Sequence, residues 1–147
     1  MRYLYTGRQA KEIDSHAIHT VGIPGLVLME KAAMTIAAVL MEREDKTKKI
    51  LAVCGSGNNG GDGVAAARLL CAQGYHAAVT VIGEPDHMTE EMKRQLAIAV
   101  NCDVPVLPLT AVGDHEFDVI LDGVFGIGLS REVEGVYEQV IDQINES

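Results

Sequence analysis

The chain has 147 residues, 48% hydrophobic and 22% charged, a balance that describes one packed domain and excludes a disordered chain. A formal net charge of −9, with no basic run longer than Lys46-Thr47-Lys48-Lys49, excludes the electrostatic footprint of a nucleic-acid binder. The opening MRYLYTGRQAKE has no apolar signal core, and the greasy stretch 26–41 is broken by Glu30 and Lys31, so a cytoplasmic protein with no membrane partner is expected.

Thr6 is placed to cap a first helix, with Ala10, Ile13, Ala17 and Val21 on one face and Gly22 as its stop. Pro24 starts a second helix, residues 24–44, which is apolar on most sides through Leu26, Leu28, Met29, Met34, Ile36, Val39 and Leu40. A helix of that kind is expected to be buried, and a second subunit is the expected cover. KKILAVCGSG reads as a buried strand, residues 63–74 as a helix turning Val64, Ala67, Leu70 and Cys71 to the sheet, and HAAVTVIG (76–83) as a second strand. Thr89 caps TEEMKRQLAIAVNC, whose early acids suit a helix N-terminus. VPVLPL is a short third strand, FDVILDGVFG (117–126) holds a fourth, and a last helix covers 132–145. Cys54, Cys71 and Cys102 are an odd number without metal-type spacing, and are expected to be buried, reduced thiols.

Strands alternating with helices imply an α/β fold: a Rossmann-like three-layer sandwich, mostly parallel, with helices on both faces. The simplest strand order is 3-2-1-4. Ligands then bind beyond the carboxyl ends of strands one and four, where the order reverses.

Both of those strands run into glycine loops. GSGNNGGDG carries G-x-G-x-x-G at Gly55, Gly57 and Gly60, and DGVFGIGLSR carries Gly126 and Gly128. Glycines let backbone N–H groups approach an anion, and Arg131 offers a partner for a phosphate oxygen. A redox-type dinucleotide site needs an acid at the end of strand two. Only Glu84 is available, between Gly83 and Pro85 in what reads as a turn. More informative are the oxygen-bearing Asn58, Asn59 and Asp62 within the first loop. Asp122 ends an apolar strand, where an unpaired charge is costly to bury. Asn59 and Asp122 could meet at one hard cation, and spacing leaves potassium, sodium and magnesium all open.

Four stretches together resemble the NAD(P)H-hydrate epimerases, the YjeF N-terminal domain family: IDSHAIHTVGIPGLVLMEKAA (13–33), VCGSGNNGGDGVAAARLL, VTVIGEPDHMTEEMKRQ and DVILDGVFGIGLSREVEG. NNGGDG is far more specific than a generic glycine loop. The resemblance covers nearly the whole chain and implies an isomerase that interconverts the R and S epimers of hydrated NADH or NADPH. The dinucleotide is then substrate, and no redox cofactor is needed. It further implies substrate contacts from Asn58, Asn59, Gly60, Gly61 and Asp62 and from Gly126, Ile127, Gly128, Leu129, Ser130 and Arg131. It implies a potassium ion held by Asn59 and Asp122, and a homodimer. A cation-bound Asp122 would stay ionised, which leaves Asp62 as the acid/base candidate in this stretch. The family's domain normally continues with a strand bearing an aspartate and a serine, so 1–147 is expected to be an incomplete domain, sometimes fused in bacteria to a dehydratase. The main catalytic acid or base is then expected beyond Ser147. Ala33 stands where the family often has glycine.

Two other readings make different demands. A non-catalytic scaffold, as the same fold provides in some eukaryotic RNA-decay proteins, has no use for Asn59, Asp62 and Asp122 together. An NAD-dependent oxidoreductase needs an acid gripping the ribose and a second substrate domain.

Overall fold

The computed structural model describes residues 4–127, 129 and 132–146. Four strands, β1 (Lys49–Cys54), β2 (His76–Val81), β3 (Val106–Leu107) and β4 (Val119–Gly123), form one sheet in the order β3-β2-β1-β4. Every ladder is parallel, with β1 paired to β2 from Lys49↔His76 and to β4 from Ile50↔Val119. The expected order is therefore the observed one. β1 reads as an unbroken apolar run because both its faces are covered: Ile50 through Cys54 are fully buried. Ile50, Ala52 and Cys54 face a core shared with Val64, Ala67, Leu70, Met92 and Ala99. Leu51 and Val53 face the opposite core, closed by the 3-10 turn Leu109–Gly113 and by Val140. β3 shrinks to two residues because Pro105 and Pro108 bracket it, and neither can donate to a ladder.

The helices are α1 (Gly7–His16), α2 (Gly25–Arg43), α3 (Asn58–Ala72), α4 (Glu90–Asn101) and α5 (Val136–Glu146). Thr6 caps α1 in a reciprocal box with Gln9, and the Thr89 hydroxyl accepts from the Met92 amide 3.2 Å away. α1 runs into a π turn, Ala17–Val21, that ends at Gly22 with φ 86°. α5 starts later than expected, after Gly135 at φ 65°, so residues 132–135 lie outside it.

Three expectations need correction. The glycine-rich segment does not precede its helix; Asn58–Gly63 is the opening of α3. Glycine costs about 1 kcal/mol in a helix, but here bulk is what the packing forbids, as shown below. Secondly, α2 is not enclosed by its own chain, so the cover expected for its open face has to come from outside it. Only Met29, Ala33 and Ala37 are buried, with Ala33 packed on Ala65 and Ala66 of α3, while Val27 and Met34 are 55% and 52% exposed. Arg68 of α3 reaches back to Glu30 at 2.5 Å. The apolar face expected on α1 is open too, since α1 buries no side chain. Thirdly, only Cys54 is a buried thiol; Cys71 is half-buried and Cys102 exposed, all three being free. Among the described residues no helix is long and apolar enough to cross a membrane.

Candidate functional site

The crossover geometry opens a crevice of about 660 Å³ beyond the carboxyl ends of β1 and β4, where the strand order reverses. Asn58, Asn59 and Asp62 line it from the first loop, and Gly126, Ile127 and Leu129 from the second. Gly60 and Gly61 lie buried behind this wall. Gly128, Ser130 and Arg131 fall outside the described residues. So does Ser147, beyond which the main acid or base is expected; Asp62, the candidate within the chain, lies among the described residues.

The glycines hold the two loops against each other. A Cβ at Gly55 would sit 2.2 Å from the Val124 carbonyl oxygen, one at Gly60 1.9 Å from the Gly55 oxygen, and one at Gly126 3.2 Å from Asn59 Cβ. Three of the glycines expected to admit an anion are thus needed to let backbone meet backbone or side chain. Gly57 differs: nothing lies within 4 Å of its Cβ position, and it is the N-cap of α3 with no side chain closing the helix end. That uncapped start, with Gly57 and Asn58 facing the crevice, offers unfilled N–H groups and the positive end of the helix dipole to an anion.

Asn59 is fixed by its own amide, Nδ2 donating to the Phe125 carbonyl at 3.0 Å, which links α3 to the segment after β4. Asp122 is not the buried charge the sequence suggests. It is exposed, its Oδ1 accepts from the Val124 amide at 2.9 Å, and it does not line the crevice. Its register partner Val53 places it on the α5 side of the sheet. Its carboxylate is still close enough, after the larger effect of burial, to help push the Cys54 thiol up to about 12, which makes that cysteine inert. Among the described residues no three His, Cys, Asp or Glu gather to hold a metal. Asn59 lines the crevice and Asp122 does not; the oxygen donors of the two suit a hard cation rather than zinc or iron. Glu84 precedes the short turn Pro85–His87, stays exposed and does not line the crevice.

Asp62 is the carboxyl whose chemistry the fold alters most. Burial, and then the negative charge of Asp14, raise its pKa from 3.8 to about 6. Asp14 and Lys11 come from α1 and line the same crevice, as do Ser56 and Tyr137. The Tyr137 ring stacks at a tilt on Phe125, with centroids 5.2 Å apart. These four are absent from the sequence reading. For α1 a signal was there: Lys11 and Asp14 are three residues apart, one helical turn, off the stripe of Ala10, Ile13 and Ala17.

Comparison with known proteins adds to this geometry. Residues 25–147 match the family described as "YjeF-related protein N-terminus". The chain is 36% identical to an NAD(P)H-hydrate epimerase of Lentilactobacillus buchneri over 148 aligned positions, covering all of this chain and 68% of the relative. It is 41% identical to one from Limosilactobacillus reuteri, covering 97% and 67%. A crystal structure of the yeast protein ynu0 superposes with a TM-score of 0.83 at 26% identity, over 99% of this chain and 65% of the yeast chain. The chain therefore spans about two thirds of the length of the relatives it matches.

Proposed function

The chain belongs to the YjeF-related N-terminal family, and from that we propose that its crevice binds hydrated NADH or NADPH and interconverts the R and S epimers. The observation that carries the reading is Asp62, a carboxyl with a pKa near 6 beside an uncapped helix start, in a chain whose relatives bear that name. The helix start and Asn58 would hold the pyrophosphate, while Gly126 to Arg131 would contact the substrate. In the hydrate, a hydroxyl sits on the carbon next to the ring nitrogen. Asp62 gives its proton to that hydroxyl, the nitrogen lone pair expels water, and an iminium forms. Water then adds from the other face and returns a proton to Asp62. Nothing is oxidised, and a group with pKa near 6 can serve in both directions near neutral pH.

Asn59 and Asp122 would hold a potassium ion, whose charge would offset that of the pyrophosphate. The α2 face bearing Val27 and Met34 would be covered by a second copy. Following the two hydrate epimers by chromatography, with and without potassium, tests the reading. Exchange faster than the spontaneous rate, stimulated by potassium, is expected, with the stimulation lost in Asp122→Asn. Exchange at the spontaneous rate would refute the activity, and unchanged potassium dependence in Asp122→Asn would refute the ion site.

A further inference from the structure

A second cavity, of about 690 Å³, lies along α1 and shares Lys11 and Ile127 with the crevice, so the two adjoin. Its wall is one face of α1 and the π turn that follows: Arg8, Lys11, Glu12, His16 and His19 recur at helical spacing, opposite Ile127. In a chain of net charge −9 this grouping of four nitrogen-bearing side chains runs against the overall charge. Its single carboxylate, Glu12, is engaged by Arg8 at 2.9 Å in an exposed pair, which a phosphate dianion can displace at little cost. Lys11, His16 and His19 make no side-chain hydrogen bond or ion pair among the described residues. The π turn is itself an irregularity of the kind that often accompanies binding sites.

We propose that this basic groove receives the adenosine end of the substrate and binds its 2′-phosphate, so that it favours hydrated NADPH over hydrated NADH. The inference rests on the dinucleotide reading of the crevice. With the pyrophosphate at the start of α3, the adenosine end of an extended dinucleotide can reach past Lys11 into the adjoining cavity along α1. Ile127 offers an apolar surface for the adenine, and Lys11, His16 and His19 offer donors to a doubly charged phosphate.

The test uses a Lys11→Gln/His19→Gln double variant; α1 buries no side chain, so the fold is not at stake. Calorimetric titration should show adenosine 2′,5′-bisphosphate binding about tenfold more tightly than adenosine 5′-monophosphate, with that preference abolished in the variant. In epimer exchange, the NADPH-hydrate to NADH-hydrate ratio of kcat/KM should fall by about the same factor. A tenfold change corresponds to about 1.4 kcal/mol, within reach of one charge-assisted phosphate contact. Equal binding of the two nucleotides by the wild type, or an unchanged ratio in the variant, would overturn the groove assignment while leaving the epimerase reading intact. Failure of the wild type to process either hydrate would instead remove the premise.

Discussion

Asp62→Asn is expected to slow epimer exchange by about 10²–10⁴-fold, the usual worth of a positioned general acid and base. The wild-type rate should follow a titration near pH 6, because burial first and Asp14 second raise the carboxyl to that value. Removing the like charge in Asp14→Asn should move the inflection downward, while burial keeps it above the ordinary carboxyl value. Stability titrates with the same group. A folded-state pKa above the unfolded one favours the protonated form, so its contribution is fully present below about pH 4 and is lost as pH rises through about 6. The displacement from 3.8 to about 6 is worth at most about 3 kcal/mol, and solvent at the half-buried carboxyl reduces this to about 1 kcal/mol. Asp62→Asn should therefore match the wild type in urea unfolding at pH 4 and exceed it by about 1 kcal/mol at pH 8. An inactive variant with that stability gain separates chemistry from folding. An active one would remove Asp62 from the mechanism.

Gly60→Ala should be among the most damaging small substitutions in the chain. Its Cβ would lie 1.9 Å from the Gly55 carbonyl oxygen and 2.8 Å from the Gly55 carbon, both backbone atoms that have no rotamer to yield. Relief requires the first turn of α3 to lift from the end of β1, opening the core around Cys54 and Val64. A loss of about 3–5 kcal/mol is expected, enough to unfold many domains of this size. Gly57→Ala is the control. Its Cβ meets nothing within 4 Å and φ is −90°, so the loss should stay within about 1 kcal/mol, set by the poorer cap. Chemical unfolding of the two variants checks the contrast, and equal stability of Gly60→Ala and the wild type would contradict the packing described here.

That contrast also shows what the sequence made legible. The strand order followed from β1 being apolar on both faces and from the crossovers, and Thr6, Gly22 and Thr89 punctuate the helices where their chemistry predicts. The start of α3 was hidden because consecutive glycines normally argue against helix. Tertiary contact explains them: Gly60 lies against the Gly55 backbone, Gly61 against Met29 and Gly63 against Cys54. The state of α2 was hidden for a different reason: an apolar sequence specifies that a face wants cover, not that the same chain supplies it. Val27 and Met34 remain open accordingly. Asp122 looked like a buried charge from its apolar strand, yet among the described residues β4 has a neighbour on one side alone, and the carboxylate is exposed and accepts from the Val124 amide. Within the crevice, Asn58, Asn59 and Asp62 were readable because polar side chains set among glycines at the end of a buried strand stand out in the sequence. Lys11 and Asp14 carried only their helical spacing as a signal, since they approach the crevice from a helix more than forty residues earlier in the sequence.

The central claim is that the dinucleotide hydrate occupies the crevice between the start of α3 and the segment after β4. Amide chemical-shift mapping with hydrated NADH tests it most directly. The account predicts shifts concentrated at Gly57–Asp62 and Val124–Ile127, with Lys11 and Asp14 of α1 responding as well. Shifts centred instead on the cavity at the opposite end of the sheet, beside Tyr75 and Phe117, or no saturable shifts at all, would contradict it.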